Sequence, residues 1–577
     1  MEHHVTTSDE AGVVLALDLG GTWIKGRVAS LDDAPCPPAP PRRWENPLAR
    51  LSSREEYADF MQDLCRELAG GQVVRAVVAS TAGEVDALGC RYKVAGQHLG
   101  VMVTTAWRER VAAALGCPFV LINDAEAFLL GWAESGALRV DGNTGALVVG
   151  TGLGFAVTRQ GRWWKPSRSL HFLGCTCTES GTYDTWTSAV ELATRTGGNL
   201  VRLWQDATHS ARRDDYLDRL ARTAATATIL YRLDDLVLGG GLAESAATAG
   251  FDLAAEISDR IPSLLPPNLR PPCVCATAEG NLLILHGALA FARGLVAGER
   301  VRFRGTFAQL ATEQAAAPDA LEEWTAEQIT LRLAEAEQAA AIDFHTHART
   351  LGPLADRLAG VIRSGGRIIY VGAGTSGRLA ALDAVEIPCT FGLPPDRFLA
   401  VVAGGPADAT LTIESEGEED GSAVPDLLLL QPTPRDAVVG ISASGTAHYV
   451  RSALAFARQR GSTTILLHEA PADQELSAVL DSEWTLHSGA EVLPGSTRMK
   501  AGTATKKALN ILSTTALIRL GHVRGGLMVD VVCSNEKLRE RGAAVLARLG
   551  DLDLDRARSL LARHGYRLRD ALSALGR

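Results

Sequence analysis

Short apolar runs rich in β-branched residues recur along the chain: VVLAL at 13–17, FVLI at 119–122, ALVV at 146–149, LVL at 236–238, IIYV at 368–371 and VVGI at 438–441. Such runs are short and do not alternate with polar residues, so they predict strands buried on both faces. The segments after them differ. WIKGRVAS, after Asp18-Leu-Gly-Gly-Thr22, is strand-like again and predicts a hairpin. RLAALDAV, after Gly372-Ala-Gly-Thr-Ser-Gly377, has helical spacing and predicts a strand-loop-helix unit. The two halves therefore read as different α/β folds and not as a duplication. HGALAFARGLVAGERV (286–301) predicts a helix, and the Ala- and Glu-rich stretch 312–341 predicts another, with Pro318 at its start. The expected layout is a first domain over 13–297, a linker and entry helix over 298–325, a second domain over 326–540, and a short helical tail over 541–577.

Composition narrows the function. With 46% hydrophobic and 21% charged residues, the 577-residue chain has ample material for several cores. A net charge of -10 argues against nucleic acid or an anionic membrane as the main partner. Residues 1–12 are polar and carry no apolar core of signal-peptide length, and no uncharged apolar run reaches a membrane span. The ten cysteines form no CxxC pair, which fits a reducing cytoplasm. The proline-rich stretch Ala34 to Pro41 reads as a surface loop, and Cys273 and Cys275 alternate like a strand.

Four polar turns come after apolar runs of the first half in order: Asp18 to Thr22, Asn123-Asp124, Gly150-Thr-Gly-Leu-Gly154 and Gly239-Gly-Gly241. Glycine lets backbone N–H groups approach phosphate oxygens, and an Asp at a strand end can hold Mg²⁺ or take a proton from a hydroxyl. One such turn is usually only a turn; four in this order are a signal. On these residues, 13–297 resembles the ROK family of sugar kinases within the actin-like ATPases. The resemblance implies a two-lobed fold, ATP and Mg²⁺. It implies that Asp18, Gly20, Gly21 and Thr22 form one phosphate loop, that Thr151, Gly152 and Gly154 form a second, and that Gly239, Gly240 and Gly241 lie against the adenosine. Asp124 is implied as the base that deprotonates the sugar hydroxyl, with Asn123 binding sugar. Many members carry a zinc site of a His followed by CxCGxxGC. Here Thr182 stands where the third Cys belongs, after His171, Cys175 and Cys177, so the set lacks the fourth ligand of a closed site and no metal is expected there. Asp184 takes the place of the sugar-binding Glu, and His171 is a candidate sugar contact. The dozen or so residues before the first strand are too few for a helix-turn-helix.

In the second half, Thr375 and Ser376 sit in a glycine loop that opens a helix, a ready anion site. A second loop of the same character, Ser442-Ala-Ser444-Gly445, comes after VVGI. Further on stand Ser496 and Thr497 in Gly495-Ser-Thr-Arg-Met-Lys-Ala-Gly502, and Asn535-Glu-Lys537. These strings resemble the N-acetylmuramic acid 6-phosphate etherases of the sugar isomerase (SIS) fold, from about Thr312 to the C-terminus. The resemblance implies a parallel-sheet α/β domain and a homodimer through this half. It also implies two carboxylates acting without cofactor: Glu386 as acid and Glu419 as base, with Glu416 as the alternative. Three departures stand out. Thr312-Glu313 is followed by Ala316 and Asp319 where the family has Asn and Ser. Thr446 and His448 replace an arginine and a proline. The helical tail is short. His448 reads as a surface or packing residue.

Together the resemblances imply a cytoplasmic bifunctional enzyme. The first half would phosphorylate an amino sugar at O6, either N-acetylmuramic acid or N-acetylglucosamine. The second would cleave the D-lactyl ether of N-acetylmuramic acid 6-phosphate to N-acetylglucosamine 6-phosphate and D-lactate. A sugar-phosphate-binding regulator without turnover and a phosphosugar isomerase are the alternatives. The expected partners are amino sugars and their 6-phosphates.

Overall fold

The computed structural model of the protein describes residues 12–31, 40–51, 53–85, 92–95, 106–139, 141–150, 152–163, 177–178, 181–182, 199–306, 310–314, 321–405, 420–531 and 533–576. It divides into two compact units. One comprises residues 1–299 with 405–407 and 424–431, and the other the remainder.

The first unit contains two five-stranded sheets of one topology. In the first sheet, β1 (Val13–Leu19) and β2 (Trp23–Ser30) form the predicted antiparallel hairpin, and β3 (Arg42–Glu45) extends it. After helix α1 (Arg54–Ala69), strands β4 (Val74–Thr81) and β5 (Phe119–Asn123) add in parallel beyond β1, giving the order β3-β2-β1-β4-β5. Helix α2 (Asp124–Glu134) follows β5 directly. The second sheet repeats this plan. Strands β6 (Asn143–Val149) and β7 (Leu153–Arg159) make a hairpin, with β8 (Arg162–Trp163) at its edge. Helix α3 (Ser210–Tyr231) leads to β9 (Asp235–Gly239), and α4 (Gly241–Thr248) precedes β10 (Cys273–Ala276). The order is β8-β7-β6-β9-β10, with the last two strands again parallel. The first half is thus internally duplicated in topology, which the sequence pattern did not reveal. Each sheet has its own core, around Leu15, Leu17 and Met61 in one and around Leu147, Leu220 and Leu236 in the other.

Helix α5 (Gly280–Arg300) closes this unit. It is the one helix among the described residues long and apolar enough to cross a membrane, and 72% of its most apolar window is buried in the fold. Its glycines permit backbone contact with α2: a Cβ on Gly287 would stand 2.2 Å from the Ala127 carbonyl.

In the second unit, α6 (Ala326–His347) and α7 (Gly352–Arg363) precede a wholly parallel sheet. The sheet is built from β11 (Ile368–Gly372), β12 (Phe398–Val402), β13 (Ala437–Ser442), β14 (Thr463–His468) and β15 (Ser482–Thr485), in the order β12-β11-β13-β14-β15. Helix α8 (Gly374–Phe391) follows β11, α9 (His448–Gln459) follows β13, and α10 (Lys500–Arg519) packs on α7 and α8. Pro318 lies outside the described residues. Among those described, the long helix begins at Ala326, where Thr325 and Gln328 form a reciprocal capping box. Such a cap contributes about 0.5–2 kcal/mol. The tail is three helices, α11 (Glu536–Gly550), α12 (Leu554–Arg563) and α13 (Leu568–Ser573), with a small core of their own around Leu546, Leu561 and Leu572.

Candidate active sites

In the first unit, parallel pairing decides which residues meet. The register aligns Asp18 with Ser80 and Thr81 with Asn123, so the ends of β1, β4 and β5 lie side by side. Asp18 is buried there. Its Oδ1 accepts from Ser80 Oγ at 2.9 Å, and Lys25 Nζ stands 3.6 Å from Oδ2. Asn123 is the N-cap of α2: its Oδ1 accepts from the backbone N–H groups of Ala125 and Glu126, and its amide donates to the Gly83 carbonyl at 2.9 Å. That leaves Asp124 as the first helical residue, half-buried. Burial, and then the charge of Asp18, push its carboxyl up to about 7, opposed by the Ala125 N–H that it accepts at 2.8 Å.

The other glycine turns converge on the same helix. A Cβ on Gly154 would lie 3.0 Å from Asp124 Oδ1, so the start of β7 passes directly over that carboxylate. Gly239 packs on Phe128 of α2 with room for no side chain, since a Cβ would sit 2.3 Å from the ring. Gly240 has φ +87° and lies against the Val149 backbone, where glycine alone fits without strain. The loop after β1 is tied from below by Asn46, whose amide donates to the Gly20 carbonyl at 2.7 Å and whose N–H donates to the Thr22 carbonyl. Gly21 and Thr22 are exposed at its tip. Sequence reasoning misses Asn46 and Lys25, which also donates to Asn281 Oδ1, because neither stands in a motif. Thr151, His171, Cys175 and Asp184 lie outside the described residues. Cys177 and Thr182 are backbone partners across a two-residue ladder.

In the second unit the phosphate-type loops gather at the C-terminal ends of the parallel strands, where such sheets bind ligands. Gly372 of β11 pairs with Ile441 of β13, which brings the loop of Thr375 and Ser376 beside Ser442. The first loop is held close by two glycines. A Cβ on Gly377 would meet the Gly372 carbonyl and Val402 at 2.7 Å, and Gly374 has φ +52°. In the second loop Ser442 is buried and Ser444 Oγ bonds Thr446 Oγ1 at 2.7 Å. The third segment joins them at Gly502, whose Cβ direction meets the Thr497 carbonyl at 3.4 Å and Thr375 Cγ2 at 3.6 Å. Ser496 and Thr497 precede α10 and are half-buried.

Two buried carboxylates pin this third segment. Glu491 accepts from the Lys500 and Ala501 N–H groups at the start of α10, and Glu469 accepts from Ser488 and Gly489 N–H. Lys500 Nζ donates to the Ser488 carbonyl at 2.9 Å. Behind the second loop, buried Arg451 donates to the Gly445 carbonyl and makes a two-pronged pair with Asp473 at 2.7 and 2.8 Å. Glu386 lies 11 positions after Thr375 on α8, about 16 Å along the axis at 1.5 Å per residue and on the same face. Its Oε2 faces Lys506 Nζ of α10 at 3.6 Å. Beneath it, burial raises the Asp383 carboxyl, whose oxygens accept from Tyr370 Oη and Ser513 Oγ.

Sequence comparison places these elements. The profile described as ROK family matches residues 91–294, and that described as glucokinase regulatory protein N-terminal SIS domain matches 354–458. An N-acetylmuramic acid 6-phosphate etherase of Gloeobacter violaceus is 47% identical over 217 residues, which are 38% of this chain and 71% of that protein. That of Crocosphaera subtropica is 47% identical over 208 residues, 36% and 68% of the two chains. The chain belongs to the N-acetylmuramic acid 6-phosphate etherase family. Ahead of the etherase half, residues 91–294 form a ROK-family domain. Among solved structures, a ROK family glucokinase from Streptomyces griseus in complex with glucose and AMPPNP is 22% identical, with a TM-score of 0.38, over 49% of this chain and 99% of that one. An inorganic polyphosphate/ATP-glucomannokinase from Arthrobacter sp. has 22% identity and a TM-score of 0.36, over 49% and 98%.

Within the etherase half, the opening Thr312-Glu313 has a visible position. The Thr312 carbonyl accepts from Gly495 N–H at 2.8 Å, and Glu313 lies against the same glycine. Asn535 caps α11 through the Leu538 N–H. His448 is buried at the start of α9, consistent with packing. Glu416, Glu419, Ala316 and Asp319 lie outside the described residues. Among the described residues one further ligand-type group stands together: Asp343 and His347 of α6 with His487, their ligand atoms within 4.8 Å of one another. Its two imidazoles are stacked, with centroids 3.7 Å apart and planes 7° from parallel. Their lone pairs run in parallel planes and do not converge on one point.

Proposed function

We propose that the chain is a bifunctional amino-sugar enzyme. Its ROK half phosphorylates N-acetylmuramic acid, or N-acetylglucosamine, at O6. Its etherase half converts N-acetylmuramic acid 6-phosphate to N-acetylglucosamine 6-phosphate and D-lactate. The 47% identity to etherases carries the second activity. The half-buried Asp124, at the head of α2 beside Asp18, carries the first. A carboxyl pushed up to about 7 is suited to take a proton from a sugar hydroxyl near neutral pH.

In the kinase half, Asn123 orients the sugar beside Asp124, and the loops at Gly20 to Thr22 and at Gly152 to Gly154 cradle the phosphates of ATP. Asp18, a buried carboxylate at the end of β1 beside the first loop, is the hard oxygen donor that would hold Mg²⁺. Bound there, Mg²⁺ would spread the charge on the transferred phosphoryl group. Gly239 to Gly241 form the floor for the adenosine.

In the etherase half, the hydroxyls of Thr375, Ser376, Ser442, Ser444, Ser496 and Thr497 anchor the 6-phosphate. Glu419, or Glu416, removes the C2 proton and Glu386 protonates the leaving lactyl oxygen, with no cofactor. Water then adds at C3. The exposed Leu382 and Val385 beside Glu386 on α8 support a homodimer through this half. The free cysteines among the described residues, together with ATP and sugar phosphates as reactants, support a cytoplasmic site of action.

The SIS profile named for a regulatory protein supports one rival, a sugar-phosphate sensor without turnover. The test is to incubate the pure protein with ATP, Mg²⁺ and a panel of amino sugars, assaying ADP and D-lactate together. N-acetylmuramic acid should yield ADP and then lactate. No lactate from pre-made N-acetylmuramic acid 6-phosphate would favour the sensor.

A further inference from the structure

We infer that Lys506 is a catalytic residue of the etherase half, donating a hydrogen bond to the C1 oxygen of the open-chain sugar as negative charge develops there. This rests on the proposed etherase activity.

The chemistry demands such a group. Two carboxylates can remove the C2 proton and protonate the leaving ether oxygen, but the C–H bond is acidic only if the electron pair can move onto the C1 carbonyl. That oxygen then carries a full charge in a site lined by carboxylates. A preorganised cation or donor at that point is ordinarily the largest single contribution to such a step.

Lys506 is the residue placed to supply it. Its Nζ is buried and, among the described residues, donates no hydrogen bond. Among the described residues its nearest charged group is Glu386, at 3.6 Å, beyond hydrogen-bond reach. The neighbouring lysines of α10 are committed elsewhere. Lys500 donates to the Ser488 carbonyl, and Lys507 lies over the Phe344 ring, 5.4 Å from its centroid. Asp383, the other carboxylate close by, is already satisfied by Tyr370 and Ser513. Among the described residues the protons of Lys506 therefore find no hydrogen-bond acceptor, and an ammonium shielded from water in this way is costly unless a ligand completes it. Lys506 also lies one helical turn after Gly502, the glycine that faces Thr375 of the phosphate loop, so the same face of α10 runs from the loop to Glu386. The C1 oxygen and the C3 ether oxygen are 1,3-related on the sugar. Groups serving them must stand a few ångströms apart, as Lys506 and Glu386 do.

The step balances without another reactant. The base takes the C2 proton, and the C2–H pair becomes the C1–C2 π bond as the carbonyl pair moves onto oxygen, held by Lys506. The pair then returns, C2=C3 forms, the C3–O bond breaks, and the lactyl oxygen takes the proton of Glu386. Water adds at C3 by the reverse sequence.

The experiment measures D-lactate release from N-acetylmuramic acid 6-phosphate by the full chain in wild type, Lys506→Met, Lys506→Arg and Lys506→Ala, with circular dichroism melts to confirm folding. Lys506→Met should lower kcat by about 10²–10³-fold with KM nearly unchanged. The kinetic isotope effect with C2-deuterated substrate should rise, because proton removal becomes limiting. Lys506→Arg should retain part of the rate, and ethylamine should partly restore Lys506→Ala. A kcat within threefold of wild type in folded Lys506→Met would overturn the inference. So would a loss confined to KM with the isotope effect unmoved, since a charge that merely neutralises Glu386 and Asp383 would behave that way. Borohydride trapping of the wild-type enzyme on its substrate would overturn it too, replacing a hydrogen bond with an imine. Absence of lactate from wild type would remove the underlying etherase activity, and it is told apart because it shows before any substitution is made.

Discussion

Asp124→Asn should do two opposite things, and both stem from one buried carboxyl. The residue is half-buried, and its pKa is pushed from 3.8 to about 7, chiefly by burial and next by Asp18. The sign is fixed by linkage. Below about pH 4 the carboxyl is protonated in folded and unfolded chains alike and carries no penalty. Between pH 4 and 7 the folded state holds the proton that the unfolded state has lost, so stability falls as pH rises. Above pH 7 the full penalty is present, about 4 kcal/mol for a rise from 3.8 to about 7. Asparagine keeps the size of the side chain and can accept the same hydrogen bond from Ala125 N–H, but it never ionises. The variant should therefore be stabilised relative to wild type, with the gain growing by about 3 kcal/mol between pH 5 and pH 8. The same change removes the proposed base, so ATP-dependent phosphorylation should fall by about 10²–10⁴-fold. Lactate release from pre-made N-acetylmuramic acid 6-phosphate should be unchanged. The assay is urea unfolding of both proteins across pH 5–8, with the transition of the first unit identified by its shift on adding ATP, beside ADP and lactate rates. Equal stability differences at pH 5 and pH 8 would refute the buried-carboxyl argument. Near-normal phosphorylation would refute the role.

Glu386→Gln and Glu419→Gln, assayed for lactate with EDTA present, should each lose about 10²–10⁴-fold in rate while still binding substrate. Full activity in Glu419→Gln with loss in Glu416→Gln would move the base by three residues, and full activity in both Glu386→Gln and Glu419→Gln would reject the pair. Ser376→Ala should raise the KM for the sugar phosphate by about 10–100-fold, with a smaller effect on kcat, because it removes one hydrogen bond to a charged group. A loss confined to kcat would disprove anchoring. Gly377→Ala should destabilise the second unit by about 1–3 kcal/mol or more, since its Cβ would press on the Gly372 backbone at 2.7 Å; an unchanged melting temperature would contradict the close approach. Zinc should not be required: stoichiometric zinc lost together with kinase activity in Cys175→Ser would show that Cys175, Cys177 and His171 hold a metal after all.

Much of this was legible in the sequence because it depends on local sterics and short spacings. The buried strands, the hairpin after Asp18, the strand-loop-helix unit at Thr375 and a helix within 286–301, which the structure starts six residues earlier, come from apolar periodicity and from glycines that only certain turns need. Glu386 is a candidate acid through the strings around it. Tertiary structure alone decided which distant residues share a site. Asp18 stands beside Ser80, and Thr81 beside Asn123, because parallel strands set a register that no local window contains. The raised pKa of Asp124 comes from burial and from Asp18, more than a hundred positions away, and it has no signature in the Asn-Asp pair itself. Lys506 reads in sequence as one of two adjacent lysines on a helix. Only the packing of α10 on α8 buries its ammonium beside Glu386 and leaves Lys507 over a phenylalanine ring. Likewise, the repeated sheet order within the first half is set by pairing between strands far apart in the chain. Local pattern fixes what each segment can become, because backbone sterics and side-chain alternation act over a few residues. Burial and charge at a site are sums over many segments, and only their assembly determines them.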